Sequence, residues 1–144
     1  MTRAQFYHNV EDPVALACEL VARAHASGRL ISIRAAGPEM AARIDHELWT
    51  FDPQSFVPHV RADSPLAPQT PVVIHAAAPV TWPHEDVLFN LADDLPEAFS
   101  GFRMIVEFVG RGDASRKPAR ARWMHYKREG VQLTAFDATT RERL

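Results

Sequence analysis

The sequence predicts an α/β domain of three layers, with a mostly parallel central sheet flanked by helices. Two observations carry this. Short runs rich in β-branched and aromatic residues alternate with stretches whose apolar residues recur every three or four positions. The run Phe102–Val109 is apolar almost throughout, as a strand buried on both faces must be. The length, 144 residues, suits one domain spanning 1–144.

The elements follow in order. Residues 3–9 (Arg-Ala-Gln-Phe-Tyr-His-Asn) read as a strand, with Phe6 and Tyr7 supplying aromatic β preference. Asp12-Pro13 starts a helix, the aspartate as N-cap and the proline at the first helical position. Val14, Leu16, Ala17, Leu20, Val21 and Ala24 follow at helical spacing, and Gly28 stops the run. Leu30–Ala35 is a second strand. Gly37-Pro38-Glu39 opens a second helix reaching about Trp49, with Met40, Ile44 and Leu48 on one stripe. Residues 50–70 hold Pro53, Pro58, Pro65 and Pro68 and read as a long loop. Pro71–Ala77 and Asp86–Leu91 are short strands on either side of a proline-rich excursion at 79–85, and Pro96–Phe99 suits a helical turn. After the apolar strand, residues 114–128 form the last helix and Val131–Phe136 the last strand. The polar residues 137–144 are expected to fray.

Composition narrows the function. Hydrophobic residues make up 47% and charged residues 24%, which fits a globular domain and excludes a disordered or fibrous chain. No apolar run has the length of a membrane span, and the first residues lack a signal-peptide core. Cys18 is the only cysteine, so the chain reads as intracellular, without an internal disulfide.

Catalytic and cofactor patterns do not assemble. Neither dinucleotide nor P-loop glycine fingerprints occur. Gly110-Arg111-Gly112 lies between a strand and a helix as a phosphate cradle would, but with two glycines only it reads as a plain strand-to-helix turn. His84-Glu85-Asp86 are adjacent and ill-placed to converge on one metal ion, and no two histidines have helical i, i+4 spacing. Cys18 sits among apolar helix neighbours as a small core residue. Ser100-Gly101 is no nucleophile elbow, and Asp93-Asp94 reads as a solvated turn. No enzyme, cofactor or metal is expected.

The charge is uneven. The net charge is −2, yet Arg111–Arg128 carries seven Lys/Arg against the single acid Asp113, leaving −8 for the rest. A basic block on an acidic body points to an anionic partner. On a helix, Arg116, Arg120, Trp123 and Lys127 share one stripe, with Ser115 as N-cap and Pro118 in the first turn. Guanidinium forks grip carboxylates or phosphates, and an indole offers apolar area beside them. The stripe is therefore either a binding face or a solvated face with Trp123 turned into the core. Direct nucleic-acid binding through the same basic helix is the alternative function.

The segment Asp45-His-Glu-Leu-Trp-Thr-Phe-Asp-Pro-Gln-Ser-Phe-Val-Pro-His59 resembles the L-W-x6-F-V-P-H signature of the chi subunit family of bacterial DNA polymerase III. Phe6-Tyr7, Cys18-Glu-Leu, Pro71-Val-Val-Ile, Asp86-Val-Leu-Phe-Asn-Leu, Val106-Glu-Phe-Val and Ala119-Arg-x-Arg-Trp-x-x-Tyr126 fit that family in order, across nearly the whole chain. The resemblance implies a Rossmann-like domain that binds no nucleotide, acting in the cytoplasm as a non-catalytic replication subunit of the clamp-loader assembly. It implies two partners, the psi subunit and the acidic, Pro-Phe-ended C-terminal tail of single-stranded DNA-binding protein. By the same resemblance Arg116, Arg120 and Trp123 fall on tail-binding positions with Val109 beside the pocket, and Trp49 and Phe56 fall in the psi interface. Trp123 stands where the family can have tyrosine. Met124 stands where a lysine can occur, with Lys127 the candidate replacement, and Pro118 departs from the usual helical residue. By residue type alone, large aromatics near a helix end such as Trp49 and Phe56 read as core packing.

Overall fold

Asp12 begins the first helix as its sequence requires: its carboxylate accepts the Ala15 N–H at 3.2 Å, and Pro13 occupies the first helical position. In the computed structural model, which describes residues 1–52, 54, 56–77, 82–96 and 98–144, the elements are β1 (Arg3–Val10), α1 (Pro13–Ala26), β2 (Ile31–Arg34), α2 (Pro38–Thr50), β3 (His59–Arg61), β4 (Val72–His75), β5 (Val87–Asn90), β6 (Met104–Gly110), α3 (Asp113–Arg128) and β7 (Gln132–Asp137). Single 3-10 turns lie at Ala67–Gln69 and Phe99–Gly101. Pro53, Ser55, residues 79–81 of the proline-rich excursion and Glu97 of the expected helical turn lie outside the described residues.

The seven strands form one sheet in the order β3-β4-β2-β5-β6-β1-β7, and every pairing is parallel. Helices α1 and α2 cover one face, where Ala17, Val21, Ile44 and Leu48 pack on Ile31, Ile33, Val72, Ile74, Val106 and Phe108. Helix α3 covers the other, over Phe6, Leu88, Ile105 and Val109. The result is the three-layer, Rossmann-like α/β architecture that the sequence predicts. Among the described residues no helix is long and apolar enough to cross a membrane.

Three expectations are corrected. The 50–70 loop contains a strand, β3, whose three residues pair with β4 in the register His59↔Val72. That pairing is non-local, and the surrounding prolines hide it from local patterns. Helix α3 starts at Asp113 with Gly112 as its N-cap, so Ser115 is not the cap. Ser115 Oγ turns back instead and accepts the Gly110 N–H at 2.7 Å. Pro118 therefore stands inside the helix rather than in its first turn. The third concerns the residues after Asp137, which return over the β7 edge: Phe136 bridges Arg143, and the Leu144 N–H donates to the Ala135 carbonyl at 2.8 Å. Arg141 pairs with Glu19 at 2.7 Å. This return shields an edge strand that would otherwise offer free backbone groups.

Candidate functional site: a cationic cleft beside the last helix

Strand β1 alternates its side chains across the sheet, so Phe6 and His8 face α3 while Tyr7 faces α1. At its C-terminal end the strand bulges. Asn9 takes a left-handed backbone (φ 60), and its side-chain amide donates to the Asp137 carboxylate at 2.6 Å.

A cleft of about 340 Å³ opens between β1, β6, β7 and α3, lined by Phe6, His8, Val109, Arg116, Ala119, Arg120, Trp123 and Ala135. It lies toward the C-terminal halves of the strands, where open α/β sheets usually hold ligands. The structure thus brings together Val109, Arg116, Arg120 and Trp123. Trp123 is half-buried and meets Phe6 edge-on, with ring centroids 5.1 Å apart at 74°. It is therefore a wall of the cleft, neither submerged nor free. The aromatic that α3 commits to the core is Tyr126, fully buried, while Met124 is 46% exposed.

Arg116 and Arg120 are exposed, and neither has an ion-pair partner among the described residues. Their charge is available to a ligand. His8, between them and the bulge, titrates below the ordinary histidine range, because burial and then the Arg116 charge disfavour its protonation while Asp137 opposes them. Lys127 is exposed but lies outside the cleft. Helical rise explains this: eleven residues beyond Arg116 is roughly 16 Å further along the axis, toward the start of the strands. Gly110-Arg111-Gly112 is a turn whose first amide is already engaged by Ser115, and a Cβ on Gly110 would sit 3.3 Å from that of Ser115.

Behind the cleft lies a polar cluster that the sequence reading did not assign. Glu107, wholly buried on β6, accepts from Arg122 Nε at 2.9 Å, from the Tyr126 hydroxyl at 2.7 Å and from the Asn90 amide at 3.0 and 3.1 Å. Arg122 also donates to the Asp93 carbonyl. Arg34 joins through the Asn90 side-chain oxygen at 3.2 Å and the exposed Asp94 carboxylate at 2.7 Å. Burial pushes the Glu107 carboxyl up from its ordinary range, and Arg122, Asn90 and Tyr126 pull it back. The cluster ties α3 to β5 and β6 and so fixes how the Arg116–Trp123 face meets the sheet. One signal was available: a lone acid inside Met-Ile-Val-Glu-Phe-Val demands a buried cation.

Trp49 and Phe56 lie elsewhere, at the end of α2 and just before β3. They are 54% and 66% exposed, with ring centroids 5.6 Å apart. The core alternative for this pair is therefore overturned. The side chains that fill the core from this stretch are Leu48 and Val57. Trp49 stacks obliquely on the ring of His59, 4.6 Å away. That ring is itself clamped, with Nδ1 2.8 Å from the Val57 carbonyl and Nε2 2.9 Å from the Asp45 carboxylate. Leu48, Val57 and His59 thus have packing roles, and they hold two aromatic rings at the surface.

Comparison with known proteins agrees with the motif. A family model described as "DNA polymerase III chi subunit, HolC" matches residues 1–134. The chain belongs to the chi subunit family of DNA polymerase III. Within that family it is 31% identical to the DNA polymerase III subunit chi of Haemophilus influenzae, over 91% of this chain and 94% of the relative. The corresponding figures for the Pseudomonas aeruginosa chi subunit are 30%, 92% and 94%. For the Escherichia coli chi subunit they are 30%, 82% and 80%. The chi subunit is an accessory component of DNA polymerase III.

Proposed function

We propose that the chain is a non-catalytic adaptor of the DNA polymerase III clamp-loader complex, acting in the cytoplasm. It binds the acidic C-terminal tail of single-stranded DNA-binding protein at the α3 cleft and the psi subunit at the Trp49–Phe56 surface. The observation that carries the reading is the convergence of two unpaired guanidiniums, Arg116 and Arg120, with the half-buried indole of Trp123 on one cleft.

The chemistry suits such a tail. The guanidinium forks hold carboxylates, including a terminal one. Phe6, Val109, Ala119 and Trp123 offer an apolar slot for a terminal phenyl ring. Exposed ion pairing makes the contact salt-sensitive and modest for one tail. Several tails on one oligomeric partner strengthen it through effective concentration. At the second surface, the paired rings of Trp49, at the end of α2, and Phe56, before β3, form a hot spot for psi.

The test is a calorimetric titration with a peptide ending in an acidic Pro-Phe sequence. Heat at low salt that is lost on Arg120→Glu is the expected result. No heat, or heat unaffected by Arg120→Glu, overturns the reading. Gel shifts with single-stranded oligonucleotides separate the alternative of direct nucleic-acid binding, which requires bare DNA to bind at least as well as the peptide.

A further inference from the structure

The face of the sheet opposite the α3 cleft carries a second groove. Because β1 alternates, Phe6 and His8 line one cleft while Arg3 and Tyr7 line the other. This second groove, about 320 Å³, runs between α1 and the starts of β1, β5 and β6. Its apolar lining includes Tyr7, Leu20 and Met104, and its charged rim includes Arg3, Arg29 and Arg103.

The rim is electrostatically unbalanced. Arg3 and Arg103 sit side by side, since the Arg3 N–H donates to the Arg103 carbonyl at 3.0 Å. Both are exposed, and neither has an ion-pair partner among the described residues. The one acid lining the groove, Asp86, is already engaged by Arg29 at 3.4 Å and by the Leu30 N–H at 3.2 Å. Two cations without partners on one rim give it a net positive charge that attracts an anion.

We infer that this groove is a second docking site for an acidic polypeptide segment of a partner protein, whose carboxylates pair with Arg3 and Arg103 while an apolar side chain lies between Leu20 and Tyr7. A peptide is favoured over nucleic acid by the distribution of charge. The free cations, Arg3 and Arg103, cluster at one end of a short apolar groove instead of tracking along a backbone. The inference is independent of the α3 cleft. With both clefts occupied, one chain would hold two acidic segments on opposite faces of its sheet.

The experiment uses the full chain carrying Arg120→Glu, which disables the α3 cleft and makes failure of the two readings distinguishable. The probe is the C-terminally amidated peptide Asp-Asp-Glu-Leu-Asp-Phe, titrated at low salt and followed by amide chemical shifts. Saturable shifts at Tyr7, Leu20 and Met104 are expected, weakened about tenfold or more by Arg3→Glu with Arg103→Glu. The milder pair Arg3→Gln with Arg103→Gln should fall between, with an unchanged melting temperature that reports an intact fold. The inference is overturned by absent or non-saturating shifts in the groove, by equal affinity in the charge-reversed protein, or by tighter binding of a thymidine dodecamer than of the peptide.

Discussion

Arg122 and Glu107 form an ion pair at 2.9 Å, with their side chains 4% and 0% exposed, and this pair joins the last helix to the centre of the sheet. The Arg116–Trp123 face lies on the flank of the same helix, beside the sheet, where it lines the cleft. The arginines at the surface are placed by an arginine that never reaches it.

That pair should be costly to break from one side. Arg122→Met strands the Glu107 carboxylate and is expected to lower stability by about 3–5 kcal/mol. Glu107→Gln with Arg122→Met should recover much of the loss. Urea unfolding measures both, and a single-variant loss below about 1 kcal/mol would contradict a buried, coupled role.

Trp49→Ala tests whether the exposed ring is structural. Its indole is 54% exposed, so its removal should cost only about 1 kcal/mol or less. A loss of roughly 3 kcal/mol or more in thermal unfolding, the range for truncating a core aromatic, would show that it supports the fold.

His75 gives the protein an acid limb. Its ring is 2% exposed, and neither nitrogen has a hydrogen-bond partner among the described residues. Burial, aided by the nearby His84, lowers its pKa to about 4. An unfolded histidine titrates near 6.5, so the unfolded chain takes up its proton first. The stabilising contribution is complete above about 6.5 and is lost as pH falls toward 4, to a limit of roughly 3 kcal/mol. His75→Leu should flatten this limb in denaturation series at several pH values, with little loss at pH 7. An unchanged acid slope would show that another group carries it.

Pro118→Ala should stabilise the protein. The proline removes a backbone donor within α3, and its ring crowds the preceding turn. An alanine restores the bond to the Ala114 carbonyl, for an expected gain of about 1–3 kcal/mol. A lower melting temperature for the variant would refute this.

Acid should strengthen peptide binding at the α3 cleft. His8 is neutral at pH 7, and a bound carboxylate favours its charged form. Affinity should therefore rise as the pH is lowered from neutral into the acid range, and His8→Gln should abolish that rise. Calorimetry at two pH values checks it.

What the sequence discloses follows from how local each signal is. Asp12, Pro13 and Gly28 bracket α1 because capping acts within a few residues. Cys18 is core because its helical neighbours are apolar, and burial raises its thiol to about 12. The Arg116, Arg120 and Trp123 stripe is legible because helical spacing is periodic. Its limit at Lys127 is not, since that depends on where β1 and β7 end beneath the helix. Phe6 and His8 enter the cleft through strand alternation, visible only once α3 is placed over that face. Strand β3 and the exposure of Trp49 depend on distant partners, and side-chain type alone misreads the second.

The place of β1 in the sheet sets the order in which the chain can be completed. It lies between β6 and β7, so the first strand made pairs only with the last two. On the ribosome its backbone groups must wait for β6 and β7, and every pairing that β1 makes spans about a hundred residues or more. Closure of this half of the sheet thus waits for β6 and β7, and a nascent chain halted before β6 would carry β1 as an unpaired, aromatic-rich strand.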